Sequence, residues 1–463
     1  MHTDPYRPLF HYTANANWAG APCGLYQARG WYHLFFLHNP FDAMPGPMHW
    51  GHARSTNLLH WEQLPLALYP EAAYESGAGG GCFGGYAFNG PQGLTIVYAA
   101  RTEEQLKPVT TLCLAHSRDE IAFRKDTKNP LSLESGALST ITGGPGVWQY
   151  GDRWYMVVPV RGSDGPRIDW YISADRSAWI YKGIFYQAAQ TPDEILVSVD
   201  CFTLENRQVL LISAVQHTAA YVYALVGTVD YGRGGFSIRT IARLDHGPHY
   251  AAAQSLSDSR GRRIVIGTIQ TNRTLGRAMQ RYGWSGAMTL PREITLLHDD
   301  TLAYTPMREL LCLRRKLYLF GPLVIPAAGE RGEQRCAQLI NGAFDLSLHC
   351  AMGTGAVQLI IHFGSTDRLV LRIDPGLNQI AVLVCGCGHG SELIQIAAGK
   401  AAIGALCDMR IIMDQSVVEI SADKGRLFFT LQIFPQAIVA PVLTVKNEGV
   451  DPVEIRGECW TLG

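Results

Sequence analysis

Short runs of apolar residues, or of apolar and polar residues in alternation, recur from one end of this chain to the other. Trp31–Leu37, Leu94–Ala99, Trp154–Val158 and Val209–Ser213 are examples, rich in Val, Ile, Tyr, Phe and Trp. Clusters of Gly, Pro, Asn and Asp separate them, which is the pattern of short strands joined by tight turns. Few windows hold an apolar period of 3.6 beyond two turns. The best is Met307–Lys316, which reads as one helix or as irregular linker. The pattern predicts an all-β protein.

Composition bounds this picture without naming a function. A chain of 463 residues has room for two or three domains, one of which could be a large all-β unit. With 47% apolar and 17% charged residues it can bury a sizeable core, so the chain is expected to be globular. A formal net charge of -1 and the lack of a basic tract argue against nucleic acid and against an anionic membrane surface as partners. Met1-His2-Thr3-Asp4-Pro5 lacks the basic and apolar regions of a secretory signal, and no later stretch is apolar for long enough to span a bilayer; a cytoplasmic location is expected. Eleven cysteines scattered from Cys23 to Cys459 fit reduced thiols. Cys385 and Cys387 are too close for a usual zinc knuckle and have no second pair, so neither a metal nor another cofactor is expected. The oligomeric state stays open.

The stretch Asn17-Trp18-Ala19-Gly20-Ala21-Pro22-Cys23-Gly24 carries a more specific signal. With Arg7–Tyr12 before it and Tyr32–Pro40 after it, it resembles the opening of glycoside hydrolase family 32, the invertases, inulinases and levanases. His49–Glu62 is similar to the family's W-G-H-A-x-S-x-D-L-x-H-W segment, Gly283–Glu293 to a later signature, and Met409–Ile420 to a C-terminal D-x-S-x-x-E segment. The resemblance covers nearly the whole chain. It implies a five-bladed β-propeller followed by a β-sandwich, with the propeller over residues 1–300, a linker over 301–319 and the sandwich over 320–463.

A retaining glycosidase needs two carboxyl groups about 5–5.5 Å apart, one as nucleophile and one as acid/base. In the family the first is the Asp of W-M-N-D-P-N-G and the second the Glu of E-C-P-D-x-F. Aligned on these motifs, the two positions are Ala21 and Val197, while Asp200 and Phe202 keep the rest of the second motif. A third family carboxylate, from an R-D-P segment, falls at Gly143-Gly144-Pro145. The sugar-contacting positions read Leu37 and the turn Phe83-Gly84-Gly85-Tyr86. Ala21, Cys23, Leu37, Gly84, Gly143, Gly144 and Val197 are smaller or less polar than the residues the family carries there.

The resemblance therefore implies a ligand pocket lined by Trp18, Ala21, Cys23, Leu37, Trp50, Phe83, Tyr86, Gly143, Gly144, Trp148, Val197 and Trp284. His52, His249, Tyr250 and Asp200 are the polar groups left for catalysis. A floor so shortened is expected to be wide and apolar, suited to a small-molecule ligand more apolar than a hexose. The expectation on these residues is a protein that is not a working β-fructofuranosidase but a repurposed cyclase or isomerase. A non-catalytic carbohydrate- or partner-binding pseudoenzyme, and a glycosidase with relocated catalytic residues, are the alternatives.

Overall fold

The structure, a computed structural model, describes residues 4–463 apart from 105–106, 134–139, 177, 189–192, 272–275, 277–278, 329–332 and 341. The first hairpin sets the theme. Asn17–Ala28 and Trp31–Asn39 pair antiparallel, and the two-residue turn between them has Arg29 at φ 47° and Gly30 at φ 84°. Two positive φ values give the turn whose twist matches that of the strands it joins.

Repetition of this unit gives five sheets, the blades of a propeller. Their innermost strands are Asn17–Ala28, Gly81–Gly90, Gly146–Tyr150, Glu194–Leu204 and Tyr250–Ser257. The ring closes by a parallel contact: Trp284 and Ser285 pair with Asn17 and Trp18, and the Asn17 N–H donates to the Gly283 carbonyl at 2.7 Å. Trp284 is 1% exposed in this seam. Between neighbouring blades the side chains of alternating strand positions interlock. Cys23, Phe35, Trp50, Cys82 and Tyr98 fill one such space, and Tyr155, Trp170, Phe185, Leu196 and Leu210 another.

After the propeller come two six-stranded antiparallel sheets, a β-sandwich whose inner faces share a core that includes Phe344, Leu346, Leu359, Ile411, Phe429 and Ile455. The chain divides into two compact units. One is Thr13–Leu244 with Ala251–Leu302; the other is Met1–Tyr12, Asp245–Tyr250 and Ala303–Gly463. The segment expected as linker is regular: Leu302–Pro306 and Arg314–Ile325 are strands, and Arg308–Leu313 is a 3-10 helix with Leu310 and Leu313 buried. Leu311, Leu317 and Leu319 remain exposed, so regular pairing rather than burial orders most of the segment. Among the described residues no helix is long and apolar enough to cross a membrane. All eleven cysteines are free.

Within the second unit, the C-terminal D-x-S-x-x-E segment acts as a clamp. The Asp414 carboxylate accepts the backbone N–H groups of Leu9, Phe10 and His11 at 2.7, 3.0 and 3.0 Å, and Ser416 Oγ donates to the Tyr6 carbonyl. The fully buried His11 ring lies 2.9 Å from Asp414 and 3.4 Å from Glu419. Burial alone would lower the His11 pKa, but the two carboxylates outweigh it and raise it to about 9. A pKa raised from 6.5 on folding adds stability that is complete below pH 6.5 and disappears as pH climbs through about 9. The whole effect is on the order of 3 kcal/mol. Denaturant unfolding from pH 6 to 10 should therefore show falling stability across that window, and Asp414→Asn should lower stability at pH 6 and flatten the slope.

Candidate functional site

Three innermost strands break register with their neighbours near the same end of the axis. Pairing shifts between Ala19 and Pro22 in the first blade, between Cys82 and Gly85 in the second, and between Leu196 and Ser198 in the fourth. Each break is a bulge, a device that re-aims a side chain at the cost of a ladder bond. The residues so released are Gly20 and Ala21, Phe83 and Gly84, and Val197.

Ala21, Phe83, Gly84 and Val197 form part of the wall of a cavity of about 280 Å³ to which every blade contributes. Trp18, Ala21 and Pro22 come from the first blade, Phe83 and Gly84 from the second, Thr142 and Gly143 from just before the third, Val197 and Ser198 from the fourth, and Ala251 and Ala252 from the fifth. Leu37, Arg101 and Gln270 reach in from second strands or their ends. No Asp or Glu lines it among the described residues.

The shortened side chains do not leave a wide floor, because backbone fills the space beside Gly143 and Gly144. A Cβ on Gly143 would overlap the Val197 carbonyl oxygen, and one on Gly144 would come within 2.5 Å of the Gly84 carbonyl carbon. The Gly144 N–H donates to the Val197 carbonyl at 3.1 Å, and Gly144 bridges Ser198 in parallel. A Cβ on Gly20 would overlap the Trp18 indole, so that ring occupies the volume a side chain at position 20 would take. At about 280 Å³ the cavity lies just under the roughly 300–1,000 Å³ range of ligand pockets.

Of the expected pocket residues, Trp18, Ala21, Leu37, Phe83, Gly143 and Val197 line this cavity. Gly144 lies behind its wall. Cys23 and Trp50 belong to the packed space between the first two blades, where the Trp50 indole N–H donates to the Phe83 carbonyl at 2.7 Å. Burial pushes the Cys23 thiol well above its ordinary pKa, so it is no nucleophile. Trp284 closes the ring. Tyr86 and Trp148 line a second depression of about 440 Å³, together with Leu25–Gln27, Phe88, Asn89, Trp154, Cys201–Thr203, Ser255–Ser257 and Arg263. On four of the five innermost strands the residues before the middle face one depression and those after it face the other, so the two lie at opposite ends of the axis.

The residues expected to be catalytic do not reach the cavity. His52 is fully buried, stacked on Phe35 with ring centroids 4.2 Å apart and bonded to His33 at 3.0 Å; burial holds its pKa well below 6.5. His249 accepts the Gln432 backbone N–H at 3.1 Å, and burial lowers its pKa to about 3. Tyr250 is 2% exposed and off the lining. Asp200 accepts both the N–H and the Oγ of Ser255, at 2.8 and 2.7 Å, which ties the fourth blade to the fifth. Burial raises its pKa above that of a free carboxyl. Sequence reasoning missed Arg101, Thr142, Ser198 and Gln270. For Arg101 a signal existed: in the strand Gly93–Glu104 it follows Ala99 by two residues and so shares its face.

Comparison with known proteins adds the family context. Residues 11–306 match the N-terminal domain of glycosyl hydrolases family 32. Sucrose-6-phosphate hydrolase of Zymomonas mobilis is 32% identical, over 92% of this chain and 87% of its own length. Raffinose invertase of Escherichia coli is 27% identical over 98% and 95%. Among solved structures, sucrose-6-phosphate hydrolase from Lactobacillus gasseri aligns with a TM-score of 0.84 over 100% of this chain and 94% of that one; at 16% identity this is a likeness of fold. These near-full-length relatives, named as hydrolases and an invertase, overturn the expectation of a pseudo-glycosidase with cyclase or isomerase chemistry and of a binding protein without catalysis. The geometry removes its physical basis as well, since the floor expected to be wide is closed by backbone at Gly143 and Gly144.

The glycine contacts predict a contrast. Gly84→Ala meets nothing nearer than 3.6 Å and should leave the melting temperature almost unchanged. Gly144→Ala drives a methyl into backbone and should cost about 1–3 kcal/mol, read as a melting temperature several degrees lower. Equal melting temperatures for the two variants would contradict this packing.

Proposed function

This chain is a member of glycosyl hydrolase family 32, and we propose that it hydrolyses the fructosyl linkage of a small saccharide, with sucrose and sucrose-6-phosphate as the substrate class. The reading rests on one observation above others: similarity to hydrolases of that class runs almost the full length of the chain and spans the segments that build the axial cavity.

On the resemblance of the motifs, positions 21 and 197 correspond to the family's nucleophile and proton donor, and in this chain they are Ala21 and Val197. Neither can form a covalent glycosyl bond or move a proton. Hydrolysis in this reading is a single displacement. A water oxygen bonds to the fructosyl anomeric carbon as the bond to the leaving oxygen breaks; a second water protonates the leaving oxygen and solvent takes the proton of the attacking one. The ring oxygen of the fructosyl unit shares the positive charge that develops. The Ser198 hydroxyl and the Gln270 amide are the neutral polar groups available to orient water, while the Thr142 hydroxyl is committed to the Leu196 carbonyl at 2.7 Å. Positioning alone supplies a large part of an enzyme's acceleration. The missing acid/base leaves turnover lower by a factor of about 10²–10⁴ than with a carboxyl in place.

The test is fructose release from sucrose and sucrose-6-phosphate by purified protein. Release above the protein-free blank, lost in Val197→Trp with the fold intact, is the expected result. No release from either sugar would overturn the proposal. A second prediction follows from the missing acid/base: Ala21→Asp combined with Val197→Glu should raise release by about 10²-fold or more. An unchanged rate would mean that carboxyl groups at these positions do not reach the scissile bond.

A further inference from the structure

The axial cavity has one charged residue in its lining among those described, and it is a cation. Arg101 extends from the second strand of the second blade, and its guanidinium carbon lies 4.0 Å from the centroid of the Phe83 ring. That cation–π contact fixes the plane of the group without using up its N–H donors. Its Nε is buried with no hydrogen-bond partner. No ion pair involves Arg101 among the described residues, and burial lowers its pKa, as expected for a cation whose lost solvation is not repaid by a nearby carboxylate.

Two buried guanidinium groups of this chain are satisfied by carboxylates. Arg167 holds Asp169 at 2.8 Å, and Arg262 holds Asp258 at 2.7 Å. Arg101 is partly buried, and a partly desolvated cation with no counterion among the described residues, set in a cavity lining, points to an anion that arrives with the ligand. The planar fork of donors on Arg matches the oxygens of a phosphomonoester.

We propose that Arg101 is a specificity-determining residue that selects a phosphorylated sugar over its neutral counterpart in the axial cavity. The inference deepens the hydrolase reading and rests on it for the identity of the sugar. It concerns binding, so it is tested apart from turnover.

Calorimetric titration of the protein with sucrose-6-phosphate and with sucrose reads the selectivity directly. Wild type should bind the phosphorylated sugar at least about tenfold more tightly, the scale of one charge-assisted hydrogen bond. Arg101→Gln should bring the two affinities together, Arg101→Lys should keep part of the difference, and the melting temperatures should establish that all three proteins are folded. Rising salt should shrink the preference in wild type. Equal affinities in wild type, or a preference that survives in folded Arg101→Gln, would overturn the proposal. Tight, Arg101-dependent binding without fructose release would refute the hydrolase reading and leave this one standing; release with no preference for phosphate would do the reverse.

Discussion

Five strands that converge on one axis cannot all keep regular ladders and full side chains. The register breaks at Gly20-Ala21, Phe83-Gly84 and Val197 resolve this conflict, since each lifts a residue out of its ladder and turns it toward the axis. The glycines complete the arrangement by letting backbone pack on backbone, with Gly144 bonded to Val197 and in reach of Gly84. Cavity size, cavity lining and the burial of the groups behind it all depend on this convergence. Asp200 and Trp50 support it from outside: one ties the fourth blade to the fifth through Ser255, and the other joins the first blade to the second through the Phe83 carbonyl.

Alternation of apolar and polar residues was enough to identify an all-β chain, and the ordered motif matches extended this to a propeller followed by a sandwich. Individual site residues were harder to read. Motif resemblance gives a position along a strand, but the side chain's direction depends on register, and the bulges reset it. Tyr86 is only three residues beyond Phe83 yet faces the opposite end of the axis. His52 and His249 carried polar chemistry in the sequence, but packing against Phe35 in one case and the Gln432 amide in the other removed them from the site. The equation of small residues with empty space failed at Gly143 and Gly144 because it assumed a fixed backbone. Arg101 was legible only through strand alternation, once its neighbour Ala99 was known to face inward.

The chemistry this leaves is unusual in its electrostatics more than in its shape. A cavity with carboxylates at its floor favours a developing cation. Among the described residues this cavity's one charge is a guanidinium with no ion-pair partner, which on the proposed reading attracts an anionic substrate and gives less help to bond cleavage. On the proposed reading, hydrolysis in this cavity is slow and driven chiefly by positioning.

The most direct measurement is a crystal structure of the protein with sucrose-6-phosphate bound. The account predicts the fructosyl ring against Ala21 and Val197, with phosphate oxygens within hydrogen-bond distance of the Arg101 guanidinium. Sugar seated instead at the opposite end of the axis, against Trp148 and Arg263, with the cavity at Ala21 and Val197 empty, would contradict it.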